Sequence, residues 1–159
     1  MESENNSILE KALLDLESGF TDIVNWRRHL HQYPELSFQE TETSQFIAEK
    51  LISFGLEVRK NVGGNGVIGI LSGENPGITI ALRADFDALP IQDEKETPYK
   101  SLKSGVMHAC GHDGHASLGL HTCIALNEIK NDLCVLFLFS SMQKKSHQAV
   151  RRICWEMGP

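Results

Sequence analysis

The chain has 159 residues, 41% hydrophobic and 23% charged, which suits one globular domain with a core of its own and excludes a disordered chain. A formal net charge of -6 argues against nucleic acid as a partner, because phosphate binding needs a basic surface. Met1 to Asn6 is polar and acidic, unlike a secretion signal, and no apolar run reaches the roughly 20 residues that span a bilayer. A cytoplasmic protein with a small-molecule substrate and no membrane partner is expected.

Ile8, Leu13, Leu16, Phe20, Ile23, Val24 and Leu30 recur at helical spacing, predicting one amphipathic helix over about 7–31, stopped before Pro34. Trp26, Arg27 and Arg28 are expected to pack or pair. His29 and His31, at the helix end, are expected there for its dipole and for solubility. Thr41 to Phe54, with Phe46, Ile47, Leu51 and Phe54 on one face, predicts a second helix, and Gly55 stands where a left-handed cap is needed.

The period then changes. Leu56 to Val58, Gly66 to Leu71 and Ile78 to Leu82 are short, apolar and β-branched, divided by Gly63-Gly64 and by an Asn-Pro-Gly turn within residues 72–77, and predict strands. A polar loop over Ala84 to Met107 leads to a helix from about His115 to Asn127 and a strand over Cys134 to Phe139. Helices, strands, loop, helix and strand in that order imply a layered α/β domain with a mixed or parallel sheet. Residues 140–159 are basic and carry no sheet-compatible pattern.

Two segments concentrate chemistry. His108, Cys110, His112, Asp113 and His115, interrupted by Gly111 and Gly114, propose a metal site. Thiolate and imidazole are soft and borderline donors for Zn²⁺, Mn²⁺ or Co²⁺, and Asp113 and His115 could orient them or bind directly. The glycines favour a loop in which Cys110 and His112 converge. A bland alternative buries Cys110 as a core thiol and leaves the histidines on the surface. Cys123, inside an apolar helical pattern, reads as a core thiol, and the four cysteines show no paired framework. The second segment is Arg83-Ala84-Asp85-Phe86-Asp87-Ala88-Leu89-Pro90, after an apolar strand, where open α/β sheets gather ligands. A strand continued to Asp87 would put Asp85 and Asp87 on one face, to hold a cation or to fix a histidine tautomer.

These segments, together with Trp26 to Thr43, Arg83 to Ile91 and Met107 to His115 taken as three ordered motifs, closely resemble the metallopeptidase-like amidohydrolases of the aminoacylase, hippurate hydrolase and auxin-conjugate hydrolase type. The resemblance covers roughly residues 15 to 139. It implies the amino-terminal part of a zinc-peptidase-like catalytic domain, a mixed β-sheet flanked by helices and truncated here, with the tail 140–159 outside the family pattern. It implies two divalent ions per intact site, Zn, Mn or Co, and hydrolysis of the amide bond of N-acyl amino acids or short peptides. Cys110 would be the ligand shared between metals, His112 a terminal ligand, and Asp87 the supporting catalytic aspartate. Asp85, His108, Asp113 and His115 would stand behind or beside them. Further histidine ligands, a lid domain and a homodimer surface belong to intact relatives.

After a strand like Cys134 to Phe139 the family continues Gln-(Pro or His)-Ala-Glu-Glu, the first glutamate the general base and the second a ligand. Here Ser140 to Arg151 contains no acidic residue. A shifted frame accounts for this. Codons for Gln-His-Ala-Glu-Glu-Lys-Pro-Pro-Gly-Gly-Ala, read from the second base, can give Ser-Met-Gln-Lys-Lys-Ser-His-Gln-Ala-Val-Arg, which is Ser141 to Arg151 residue for residue. Weak metal binding, little activity and apolar edges around the last strand are expected of this polypeptide. Two other readings are a non-catalytic metal-binding or regulatory fragment, and a cysteine hydrolase built on Cys110 with His108, His112 or His115.

Overall fold

The computed structural model describes residues 18–73, 79–130 and 134–139, with Glu10 and Leu14 besides. The first half of the expected 7–31 helix, the Asn-Pro-Gly turn and the tail 140–159 fall outside these residues. In chain order the elements are α1 (Phe20–Gln32), α2 (Thr41–Ser53), β1 (Glu57–Val62), β2 (Gly66–Leu71), β3 (Thr79–Ala84), α3 (His112–Asn127) and β4 (Cys134–Phe139). The α/β architecture expected of the sequence is present. Among the described residues no helix is long and apolar enough to cross a membrane.

The expected continuous helix is interrupted at Gly19, a turn residue with φ -87 and ψ 4. Glycine weakens a helix interior by roughly 0.5–1 kcal/mol, and here the missing side chain is also required. A β-carbon on Gly19 would overlap the His121 ring of α3. α2 ends as expected. Gly55 takes φ 83, its N–H bonds to Ile52 O at 2.9 Å, and Leu56 N–H reaches Leu51 O at 3.2 Å, a Schellman motif whose apolar pair Leu51 and Leu56 is buried.

The sheet runs β1-β2-β4-β3, with β1 antiparallel to β2, β2 antiparallel to β4, and β3 parallel to β4. It is mixed, as expected, and β3, α3 and β4 form one crossover unit. β4 lies inside the described sheet rather than at an edge, and on β3, at the edge, Ile80 and Leu82 are exposed. β1 runs four residues beyond the Leu56–Val58 expected. Its residues Arg59, Lys60 and Asn61 are polar and solvent-facing on an outer strand, which leaves no apolar alternation to read. Every residue of β2 is buried.

The core joins Trp26 and Leu30 of α1, Ile47, Ala48 and Leu51 of α2, Val67 and Leu71 of β2, and Ala116, Leu120 and Cys123 of α3. Gly69 lets the helices approach the sheet, since a β-carbon there would sit 3.1 Å from Leu56 and 3.2 Å from Leu51 methyl groups. Trp26 packs against Phe54 at 5.8 Å and His121 at 6.4 Å between ring centroids. Cys123 is the expected core thiol, and burial pushes its pKa far up.

Candidate metal centre

The loop from Asp85 to Gly111 is long, but backbone bonds tie it down. Ala88 N–H bonds to Glu35 O at 2.7 Å, Leu89 and Met107 exchange bonds of 3.0 and 3.1 Å, and Leu102 N–H bonds to Gln32 O at 2.9 Å. These contacts carry Asp87 and the His108–Cys110 stretch to the start of α3. Helix α3 begins at His112, three residues before the sequence suggests, so His112 and Asp113 lie in its first turn rather than in a loop. Gly111 caps it with φ 79 and supplies no side-chain bond, while Gly114 and His115 N–H groups bond to Gly111 O. Glycine's freedom at positive φ makes the sharp entry, and Gly114 is absorbed by the helix.

His112 and Asp87 come together. Nδ1 of His112 lies 2.9 Å from the Asp87 backbone oxygen and 3.0 Å from its Oδ1. Both are acceptors, so Nδ1–H donates and Nε2 keeps its lone pair free for a ligand. Asp87 is buried, and its Oδ2 accepts a bond from Ser37 Oγ–H at 2.5 Å. The carboxylate is therefore held from one side while it orients the imidazole on the other. Asp85 does not join it. The hydrogen-bonded strand β3 ends before it, at Ala84, and Asp85 pairs with Arg83 instead.

The remaining residues of the segment divide by burial, opposite to the bland reading for Cys110 and His108 but in line with it for His115. Cys110 is an exposed free thiol and His108 is buried. Neither ring nitrogen of His108 has a hydrogen-bond partner among the described residues. Burial pushes the His108 pKa down to about 4, against the pull of the Asp113 carboxylate. His115 is exposed and stacks on His112 with centroids 5.6 Å apart. Cys110 is free, and no hydrogen bond joins it to a described histidine.

Asp113 turns inward. Its Oδ2 accepts from His31 Nδ1 at 2.7 Å and from Arg27 Nε at 3.2 Å. His31 is thus a buried structural residue, not a solubilising one, and its Nε2 lies 3.3 Å from Asp93 Oδ2 and 3.2 Å from Lys95 Nζ. Asp93 is fully buried. A backbone bond from Ser101 at 2.9 Å holds its pKa below the usual carboxylate value, assisted by Lys95 and His31. Sequence reading missed His31, Asp93 and Ser37. One signal was available: Arg27 and His31 are four apart, on one helix face, beside the buried Trp26 and Leu30. Arg28 lies over the Tyr99 ring at 5.1 Å, so the tryptophan and both arginines do pack or pair.

The donor chemistry fits a divalent metal: a free imidazole Nε2 fixed by a carboxylate, beside an accessible thiol two residues away. No group of three His, Cys, Asp or Glu residues able to hold an ion occurs among the described residues. Cys110 and His112 are two donors of the metal-ligating type.

Over 128 residues the chain is 52% identical to YhaA of Bacillus subtilis (strain 168), named as an amidohydrolase, covering 80% of this chain and 32% of that protein. It is 46% identical over 127 residues to the N-acyl-L-amino acid amidohydrolase of Geobacillus stearothermophilus, covering 78% of this chain and 34% of the relative. The chain therefore spans about a third of the length of these curated relatives. Among solved structures, the YXEP protein of Bacillus subtilis, described as a dinuclear metal binding peptidase from the M20 family, superposes with a TM-score of 0.80 at 38% identity, covering 85% of this chain and 40% of that one. Residues 81–142, which carry the end of β3, the Asp85–Pro90 motif, the His108–His115 segment and β4, match the model of peptidase family M20/M25/M40, and over that stretch the chain is similar to that family.

Proposed function

We propose that this chain supplies the first part of the metal site of an amidohydrolase that cleaves the amide bond of N-acyl amino acids or short peptides. The observation that carries the reading is the His112–Asp87 pair, an imidazole whose Nδ1 is engaged and whose Nε2 is left free, at the carboxyl end of a sheet strand. Cys110 and His112 hold the cation. Asp87 fixes the tautomer of His112, Ser37 fixes Asp87, and His115 flanks the imidazole. A divalent ion such as Zn²⁺, Mn²⁺ or Co²⁺, two in the intact site, supplies polarisation of the amide carbonyl and a water acidified towards neutral pH. The names of the relatives support the substrate class, and the free described thiols fit a reducing, cytoplasmic setting.

The 159-residue polypeptide on its own binds the ion weakly and turns over little substrate. Two donors among the described residues leave a tetrahedral ion half-coordinated, and Ser140 to Arg151 offers no carboxylate as a base. A Co²⁺ titration followed by thiolate and ligand-field absorption tests the donor assignment: Cys110→Ser and His112→Gln should each abolish the signal, and its persistence in both would refute it. Metal-dependent hydrolysis of an N-acyl amino acid by the purified chain would overturn the statement on activity.

A further inference from the structure

The first turn of α3 is poorly defined by its own sequence. It starts on Gly111 with φ 79, has no side-chain cap, and contains Gly114, so neither capping nor helix propensity fixes its entry. Its anchor is Asp113, whose Oδ2 receives the 2.7 Å bond from His31 and the 3.2 Å bond from Arg27, both from α1. Successive helical residues are turned by about 100°, so holding Asp113 against α1 sets where its neighbour His112 points, towards Asp87 on the other side. The His31 ring is itself oriented. Its Nε2 sits between Asp93 Oδ2 and Lys95 Nζ, and Asp93 is locked by the backbone N–H groups of Ser101 and Lys95 at 2.9 and 3.2 Å.

We infer that His31, its ring oriented by Asp93, is a positioning residue that sets the start of α3 and with it the aim of the Cys110–His112 donor pair. The inference rests on the metal reading of that pair. The buried array Asp93–His31–Asp113 ties three distant stretches, the α1 end, the Asp85–Gly111 loop and the α3 start, into one rigid seat. None of its members need touch substrate or metal.

The test uses the full chain and three variants, His31→Asn, His31→Gln and Asp93→Asn. Asparagine places an amide N–H near the position of Nδ1 and keeps the bond to Asp113, whereas glutamine reaches only the Nε2 position. Amide hydrogen exchange of Gly114 and His115 should therefore accelerate about tenfold in His31→Gln and Asp93→Asn and stay within about twofold of the parent in His31→Asn. Amides of Ile47, Leu51 and Val67 should be unchanged in all three. Apparent Co²⁺ affinity should follow the same order. Uniform acceleration across core and first turn, or no local change in folded His31→Gln and Asp93→Asn, would overturn the inference. If His31→Gln fails to fold, Asp93→Asn carries the test. Should Cys110→Ser and His112→Gln leave Co²⁺ binding intact, the metal reading fails while the exchange pattern still decides the role of His31 at the helix start.

Discussion

Gly19 and His121 occupy each other's space: the α-carbon of the glycine lies so close to the imidazole that a methyl group there would overlap Cε1. The ring, 2% exposed and packed beside Trp26, has little room to retreat. Gly19→Ala should therefore destabilise by about 1–3 kcal/mol, the usual range for overpacking, although alanine is the better helix former. Urea unfolding of Gly19→Ala, His121→Ala and the double variant should show a double variant more stable than the sum of the singles predicts. Strict additivity would disprove the contact.

Acid should weaken the fold through His108. Its folded pKa is about 4 and its unfolded value 6.5, so the unfolded chain binds the proton more readily between these values. Its contribution to stability is complete above pH 6.5 and is lost as pH falls towards 4, about 3 kcal/mol in all at 1.4 kcal/mol per pH unit. Chemical denaturation across pH 4 to 7 should show this slope in the parent chain. His108→Gln should flatten it.

Ser37→Ala removes the hydroxyl that holds Asp87. With a charged acceptor left short of one bond, a loss of about 1–3 kcal/mol is expected in urea unfolding. The His112 ring should become less fixed, seen as broadened His112 signals in ¹⁵N spectra, while Ser53→Ala, at an exposed position on the end of α2, should leave them unchanged.

Gly111→Ala meets no atom within 4 Å, so any cost comes from the backbone alone. At φ 79 a β-carbon costs roughly 1–2 kcal/mol. Thermal unfolding should show that loss, and Gly111→Asn, which tolerates the left-handed region, should recover part of it.

The tail offers a test at the nucleotide level. Codons 135–159 read in the neighbouring frame should encode Ala-Glu-Glu after the strand. A different translation rejects the shifted-frame account of residues 140–159.

Much of this arrangement was legible because it is local. Gly55 and the glycines of the β1–β2 turn announce left-handed backbone, and the apolar spacing of α2 announces its buried face. That a carboxylate of the Asp85–Asp87 stretch could fix a histidine tautomer is legible in residue chemistry, and Asp87's supporting role came from the resemblance, but neither named His112 as the partner, and Ser37, 50 residues from Asp87, carries no local signal. His31 was misread for the same reason. A histidine at a helix end looks solvated until Asp113, 82 residues on, and Asp93, 62 residues on, close over it. The Gly19 break was hidden by the apolar spacing on either side, since one glycine lowers helix propensity without announcing a steric need.

The described sheet has two unlike flanks. β1 presents Glu57, Arg59 and Lys60 to solvent, and an incoming strand would have to strip water from charges to pair there. β3, at the other end of the described strand order, presents Ile80 and Leu82, 49% and 39% exposed. Among the described residues the two edges therefore offer different chemistry, and a strand added at β3 would meet apolar side chains where one added at β1 would meet charges.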